Sequence, residues 1–198
     1  MHKLDFKEQS SIDLTSLQIM GDRILLQSIN AKYSSRIFKE FTSEITRYMY
    51  PKPNENIDEV KSFISMSLKG MQEGRELILV TTELKKEEFL GVCGLHGNEN
   101  PKIPELGIWI KKDAHGKNYG REAIITLTSW AFRHINFDYL IYPVDKANIA
   151  SRKIPETLGG IIFKERKVKT VNGNYLDEVV YKISNNWQKA NNNSLKLI

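Results

Sequence analysis

The sequence is poor in cysteine: among its 198 residues the only one is Cys93. A single cysteine excludes an internal disulfide framework and a cysteine-based zinc cluster, so we predict no metal site and a reducing, cytoplasmic setting. Cys93 lies in an alternating apolar segment, FLGVCGL. We therefore interpret it as a small buried hydrophobic residue and not as a nucleophile, which would need a partnered histidine.

Long hydrophobic runs are also missing. The N-terminal stretch MHKLDFKEQSSIDL carries charges where a signal peptide has its apolar core. No later apolar run approaches the length that crosses a bilayer. The sequence therefore predicts no membrane partner.

The sequence also lacks a large excess of charge of either sign. Lysine and arginine total 29 and aspartate and glutamate 24, which leaves a net charge of +5. This mild, dispersed basicity favours anionic partners without singling out nucleic acid. The densest basic run, KERKVK at residues 164–169, alternates like a strand with a solvated face, and we prefer that interpretation to an RNA-binding patch.

The composition suits one compact domain, since 40% of the residues are hydrophobic. We predict a polar N-terminal lead-in at residues 1–20, a single domain at residues 21–185 and a polar C-terminal tail at residues 186–198.

Hydrophobic periodicity gives the element order β, α, α, β, β, β, α, β, α, β, β. The strongest helix pattern places apolar residues at helical spacing, at Ile57, Val60, Ile64, Leu68 and Met71. This order predicts an α/β or α+β fold with a mixed sheet. The strand–loop–helix–strand unit at residues 105–145 should form a right-handed crossover, whose loop lies at the carboxyl end of a strand, where open sheets bind ligands.

That loop reads HGKNYGREAI at residues 115–124. Gly116 and Gly120 can adopt backbone angles closed to other residues, and Asn118 tolerates a left-handed conformation. A glycine-rich loop that runs into a helix directs unpaired N–H groups and the positive end of the helix dipole at one point. The pattern predicts an anion site, and the alternative is a tight turn without a ligand.

Three segments together resemble the GNAT superfamily of acetyl-CoA-dependent N-acetyltransferases, and its RimJ/RimL branch in particular. They are GIWIKKDAHGKNYGREA at residues 107–123, the Asn148–Ser151 pattern after a strand, and Leu158–Gly159 at the end of a short helix. The resemblance covers about residues 22–184. It implies a mixed, mostly antiparallel, twisted sheet of about seven strands with a splayed central strand pair, and about four helices.

The resemblance also implies acetyl-CoA as the co-substrate, with its pantetheine arm between diverging strands at residues 106–111 and 139–145. Pro143 fits this, because a proline costs no ladder hydrogen bond where strands diverge; an ordinary strand edge or bulge is the alternative. The residues that would contact acetyl-CoA are Trp109, Ile110, Lys111, His115, Gly116, Lys117, Asn118, Tyr119, Gly120, Arg121 and Asn148.

The loop departs from the family pattern at two positions. The family has arginine or glutamine at the position of His115 and glycine at the position of Asn118, whereas Gly120 agrees. Asn118 should preserve the loop conformation, but its side chain would crowd the pyrophosphate. Lys117 and Arg121 supply fixed positive charge nearby.

The resemblance places a base and an acid near the thioester. Glu105 would be the base, and the alternative is an ordinary exposed carboxylate at a strand end; His96 and Glu99 are the reserve candidates. Ser151 would protonate the leaving thiolate, although serine there also suits helix capping. Tyr142 is a second candidate acid. Pro155 and Gly160 depart from the family and are expected to disturb the geometry around Ser151.

We therefore expect an N-acetyltransferase that acts on a primary amine, either a small molecule or a protein N-terminus, by direct attack in a ternary complex. The acceptor site should lie over residues 31–57, near Tyr48, Tyr50, Glu40 and Glu44. The alternative function is a catalytically weak module that binds acetyl-CoA, RNA or the ribosome without turnover. The resemblance leaves open a monomer or a homodimer.

Overall fold

A computed structural model describes residues 2–7, 12–97 and 100–184. Its strands are β1 (Asp5–Phe6), β2 (Gln18–Met20), β3 (Ile24–Ser28), β4 (Glu76–Glu83), β5 (Phe89–His96), β6 (Glu105–Ile110), β7 (Ile135–Asn136), β8 (Leu140–Asp145), β9 (Ile161–Lys169) and β10 (Tyr175–Ile183). Its α-helices are α1 (Ser34–Glu40), α2 (Ile57–Gln72), α3 (Tyr119–His134) and α4 (Ile149–Thr157). Short 3-10 helices occupy Ala31–Tyr33, Ile45–Tyr48 and Lys112–Ala114.

In the described ranges, eight strands form one sheet in the order β2-β3-β4-β5-β6-β8-β10-β9, and β1 pairs with β7 in a small separate sheet. Every pairing in the large sheet is antiparallel except that of β6 with β8, which is parallel. The predicted fold class is confirmed. The sheet has one strand more than expected because β2, within the predicted lead-in, pairs with β3.

Helices cover both faces of this sheet. On one face, α3 lies against β6: a Cβ at Gly120 of α3 would lie 3.3 Å from Ile110 and 3.7 Å from Ile108. On the other face lie α1 and α2, and the Trp109 ring of β6 contacts Phe41, directly after α1. Side chains alternate along a strand, so β6 presents its even-numbered residues to α3 and its odd-numbered residues to the opposite face.

The ends of α2 follow from local chemistry. The Asn56 side chain accepts hydrogen bonds from the N–H groups of Asp58 and Glu59, which caps the first turn. Gly74 follows the helix at φ +70°, a backbone conformation that favours glycine. Between these ends Val60, Ile64 and other inward positions are buried. The predicted helix is confirmed.

The described part of the lead-in contributes to the core. Leu4 and Leu14 are buried, and the Leu4 N–H donates to the Gly74 carbonyl. The division at residue 21 and the tail at residues 186–198 stay predictions, and the tail lies outside the described residues. None of the described helices is long and apolar enough to cross a membrane.

Candidate active site

The site is organised by the divergence of β6 and β8. Their paired residues are Glu105 and Ile141, and the strands separate beyond this pair; we call the space between them the wedge. The Ile141 N–H donates to the Pro104 carbonyl at 3.0 Å. Because N–H groups alternate along a strand, the nitrogen of Pro143 faces the wedge, where β6 offers no ladder bond. The splayed pair is confirmed.

The wedge holds a groove of about 360 Å³. Nine of the predicted acetyl-CoA contacts line it, namely Trp109, Ile110, His115, Gly116, Asn118, Tyr119, Gly120, Arg121 and Asn148. The predicted acid Ser151 lines it too. Further lining residues were not expected from the sequence, namely Ile45, Met49, Ile108, Ala114, Ala150, Lys153 and Ile154.

Two of the predicted contacts are directed elsewhere. The Lys111 ammonium pairs with Glu88, and its backbone N–H donates to Leu90. The Lys117 ammonium donates to the Asp113 carbonyl at 3.0 Å. Neither residue lines the groove.

The loop before α3 has the predicted backbone. Gly116 has φ +75° and Asn118 has φ +64°. The side chain of Asn118 makes no capping hydrogen bond in the described structure, so the first N–H groups of α3 are left to other partners. They open onto the groove, because Tyr119, Gly120 and Arg121 line it. Such an end suits an anion.

His115 is placed differently from the expectation that it faces an anion. Its Nε2 lies 2.7 Å from the Ile110 carbonyl oxygen. A carbonyl only accepts hydrogen bonds, so Nε2 carries the proton, and the neutral ring presents Nδ1 as an acceptor. Only the protonated ring would donate to an anion as well.

Tyr142 and Ser151 form a hydroxyl pair beside the groove. The Tyr142 hydroxyl lies 2.8 Å from Ser151 Oγ. Burial raises the pKa of Tyr142 to about 12, with a smaller opposing contribution from the hydrogen bond to Ser151. Tyr142 therefore keeps its proton at neutral pH. The Ser151 N–H donates to Asn148 Oδ1 at 3.2 Å, so Asn148 caps α4 while it also lines the groove.

Pro155 and Gly160 do not disturb this pair. The helix α4 begins at Ile149, directly after Asn148, and Pro155 lies near its far end. The Gly160 N–H donates to the Pro155 carbonyl at 2.9 Å, and a Cβ at position 160 would lie 2.7 Å from that oxygen. A larger residue would not fit. Pro155 and Gly160, the two residues that depart from the family pattern, contact each other. The expectation that they distort the surroundings of Ser151 is wrong.

Glu105 lies at the apex of the wedge. It does not line the groove, but it marks the pair at which β6 and β8 meet. Its register partner on β5 is His96, whose Nδ1 lies 3.1 Å from Glu76 Oε2. Glu99 lies outside the described residues.

The predicted acceptor region borders the wedge, since Ile45 and Met49 line the groove. Glu44 pairs with Lys112 across the site, and this ammonium lowers the pKa of the carboxyl. The Tyr48 ring lies beside the Arg47 guanidinium, Tyr50 is exposed and Glu40 is half-buried. The Trp109 ring contacts Phe41 and Phe89 and forms an aromatic wall.

Cys93 takes no part in the site. It is buried in β5, and burial raises the pKa of its thiol to about 12. Its predicted role as a small hydrophobic residue is confirmed. In the described part of the chain, His, Cys, Asp and Glu side chains form no group that could hold a metal ion.

A larger depression of about 640 Å³ lies on the outer side of α3. Two of its lining residues, Arg23 and Glu122, form an ion pair at 2.7 Å. The wedge is the candidate active site, because the loop and the hydroxyl pair border its groove and Glu105 lies at its apex.

Comparisons with known proteins give a family match and similar folds. Residues 23–161 match the family described as the acetyltransferase (GNAT) domain. The chain is 26% identical over 121 residues to the uncharacterized N-acetyltransferase p20 of Bacillus licheniformis; the match covers 58% of this chain, and the chain spans 65% of the length of p20.

Two solved structures share the fold at low sequence identity. The microcin C7 self-immunity acetyltransferase MccE, in complex with acetyl-CoA and AMP, superposes with a TM-score of 0.73 at 21% identity, over 82% of this chain and 93% of MccE. The ribosomal L7/L12 α-N-protein acetyltransferase RimL superposes with a TM-score of 0.73 at 13% identity, over 85% of this chain and 94% of RimL. Since the family match covers more than half of the chain, the protein belongs to the GNAT acetyltransferase family.

Proposed function

We propose that the protein transfers an acetyl group from acetyl-CoA to a primary amine by direct attack in a ternary complex. The observation that carries the proposal is the wedge itself. The loop of residues 115–121 opens onto one part of its groove, and the Tyr142–Ser151 pair lies beside another. The MccE structure, which has a similar fold, contains acetyl-CoA.

The groove fits the chemistry of acetyl-CoA. Ile108, Ile110 and Ile154 provide apolar walls for the pantetheine arm. The N-terminal N–H groups of α3 suit the pyrophosphate, and Arg121 and Lys153 add positive charge at the lining. Where β6 leaves β8, its backbone groups on the wedge side can pair with the amides of the arm.

Bound acetyl-CoA supplies an acetyl thioester. Glu105, at the apex, would accept the proton that the amine nitrogen loses as it bonds to the acetyl carbon. Tyr142 and Ser151 would deliver one proton to the sulfur as the carbon–sulfur bond breaks. The product amide has one N–H fewer than the neutral amine, and the released thiol has gained one proton. The protons balance when Glu105 gives its proton to solvent and the hydroxyl pair takes one back from solvent.

The proposed acceptor is a protein N-terminus or a small-molecule amine that enters over residues 41–50. The similarity of RimL, which is described as an α-N-protein acetyltransferase, supports the first of these. We propose a cytoplasmic protein of the RimJ/RimL-like type, a monomer or a homodimer. The geometry favours turnover over a binding module, because Asn118 keeps the loop conformation and α4 holds Ser151 beside Tyr142.

The test is release of CoA from acetyl-CoA in the presence of amines. The panel comprises peptides with serine, alanine or methionine at the free N-terminus, spermidine and glucosamine, with N-terminally blocked peptides as controls. Amine-dependent CoA release with matching acetylated product supports the proposal. Release that no amine accelerates, despite bound acetyl-CoA, contradicts it and supports the binding module.

A further inference from the structure

Three titratable residues lie in one row across the sheet. Glu76 on β4 is the register partner of His96 on β5, which is in turn the register partner of Glu105 on β6. Side chains at paired positions project from the same face and lie about 5 Å apart at Cβ. The row therefore leads from the apex of the wedge across the face that carries Trp109.

Glycines make room for the row. A Cβ at Gly70, inside α2, would lie 2.3 Å from Glu76 Oε1. A Cβ at Gly94 would lie 2.9 Å from His96 Nε2. Glycine weakens both a helix and a strand, so the chain tolerates two unfavourable residues where these side chains need space.

The ring of His96 has a defined orientation. Nδ1 lies 3.1 Å from Glu76 Oε2, and an ionised carboxylate only accepts hydrogen bonds, so Nδ1 carries a proton. The neutral ring then presents Nε2 as a base. Nε2 lies over the strand towards Gly107, 3.6 Å from the position that a Cβ of that glycine would take. This places it on the face opposite α3, from which Glu105 of β6 also projects.

Other charged groups lie near the row. Arg75 pairs with Glu73 at 2.6 Å, and Lys69 and Lys3 act on the Glu73 carboxyl. Glu76 and Glu105 are the charged residues that the strand register places beside His96 on β4 and β6.

We infer that His96 accepts from Glu105 the proton that the amine has lost. Glu76 is the positioning residue, which orients the ring and stabilises its charged form. This inference rests on the proposed function. The proton leaves the amine nitrogen for Glu105, moves to His96 Nε2 and passes from the ring to solvent, to which the half-buried ring has access. Glu105 is thereby returned to its ionised form for the next turnover.

The experiment compares His96→Gln, Glu76→Gln and Gly70→Ala with wild type. Replacing glycine by alanine inside a helix usually stabilises the helix. In Gly70→Ala, however, the new methyl group displaces the Glu76 carboxylate without removing it. His134→Gln is the matched control, because that ring bonds the Trp130 carbonyl, away from the row. The readouts are the pH profile of kcat/KM with the best amine of the panel and, for the protein alone, the NMR signals of the His96 ring nitrogens, which show which nitrogen carries the proton.

We expect His96→Gln to lower kcat/KM by about a hundredfold, the usual contribution of a positioned base. Glu76→Gln and Gly70→Ala remove negative charge from beside the ring. Both should therefore weaken the preference for the ring form protonated at Nδ1 and lower kcat/KM, with the smaller effect in Gly70→Ala. His134→Gln should change neither.

An unchanged rate and profile in His96→Gln would overturn the relay while leaving the acetyltransferase assignment intact. Ring-nitrogen signals that Glu76→Gln does not change would remove Glu76 from its role. Absence of amine-dependent turnover in wild type would overturn the proposed function and the relay together, and would be visible before any variant is compared.

Discussion

The two faces of β6 carry side chains of different chemistry. Towards α3 the strand presents Leu106, Ile108 and Ile110, and the groove there is completed by backbone N–H groups and small residues. Towards the opposite face it presents Glu105, Gly107 and Trp109, next to an ordered histidine. An apolar, backbone-lined side suits a long cofactor arm, whereas a side with titratable groups suits an amine that must lose a proton. One strand thereby separates the two substrates of the proposed reaction.

We call the groove between β6 and α3 the cofactor face. The largest effect is expected when a substitution introduces a negative charge there. In Gly120→Glu the new Cβ is accommodated at ordinary contact distance from Ile108 and Ile154, with Ile110 slightly closer, so the fold persists. The carboxylate enters the groove and repels pyrophosphate. The affinity for acetyl-CoA, measured by calorimetry, should fall more than about a hundredfold, or roughly 2.7 kcal/mol. Gly120→Ala is the control and should retain most of the affinity; wild-type affinity in Gly120→Glu would contradict the placement of the pyrophosphate.

A substitution on the opposite face of β6 should lower the rate and leave acetyl-CoA binding unchanged. Glu105→Gln removes the proposed base at the apex and keeps the size of the side chain. We expect kcat/KM to fall by about a hundredfold and the affinity for acetyl-CoA to stay unchanged. If binding and rate fell together, the division of labour between the two faces would be wrong.

The hydroxyl pair should give a smaller effect. Tyr142→Phe and Ser151→Ala each break the chain that would protonate the sulfur, and we expect each to lower kcat by about tenfold to a hundredfold. Because the two groups act as one unit, the double variant should be little slower than either single variant. Since the pKa of Tyr142 is raised to about 12, its proton is retained and the loss should be the same at pH 7 and pH 9. Additive losses would show that the hydroxyls act separately.

The smallest effect concerns Asn118. Its φ of +64° is open to glycine, so Asn118→Gly should change the free energy of unfolding by less than about 0.5 kcal/mol, whereas Asn118→Ala should cost about 1–2 kcal/mol. Denaturant unfolding measures both. If the asparagine side chain crowds the pyrophosphate, Asn118→Gly should also tighten acetyl-CoA binding; weaker binding would show that the side chain contributes a contact.

The sequence predicts the cofactor face better than the opposite face. Residues 115–121 are contiguous, and the left-handed backbone of Gly116 and Asn118 follows from residue type, so that loop was predicted correctly. Lys111 and Lys117 lie in the same stretch, but their partners Glu88 and the Asp113 carbonyl depend on folded geometry. Proximity in sequence therefore does not determine which lysine faces the groove.

The opposite face is assembled from distant segments. The contact of Glu76 with His96 depends on the register of β4 and β5, which shifts between Thr81 and Thr82, and Ile45 and Met49 reach the groove from the segment between α1 and α2. The contact between Pro155 and Gly160 is a further example, because each residue considered alone predicts a distortion of α4. That these two residues fit each other becomes apparent only when the direction of the Pro155 carbonyl is known.

The central claim is that the wedge binds acetyl-CoA, and the thermal melting of wild-type protein tests it most directly. At a hundredfold excess over the dissociation constant, binding to the folded state adds about 2.7 kcal/mol of stability. For a chain of this size the melting temperature should rise by roughly 5–10 °C, and ATP at the same concentration should produce a much smaller rise. An unchanged melting temperature at millimolar acetyl-CoA would contradict the claim.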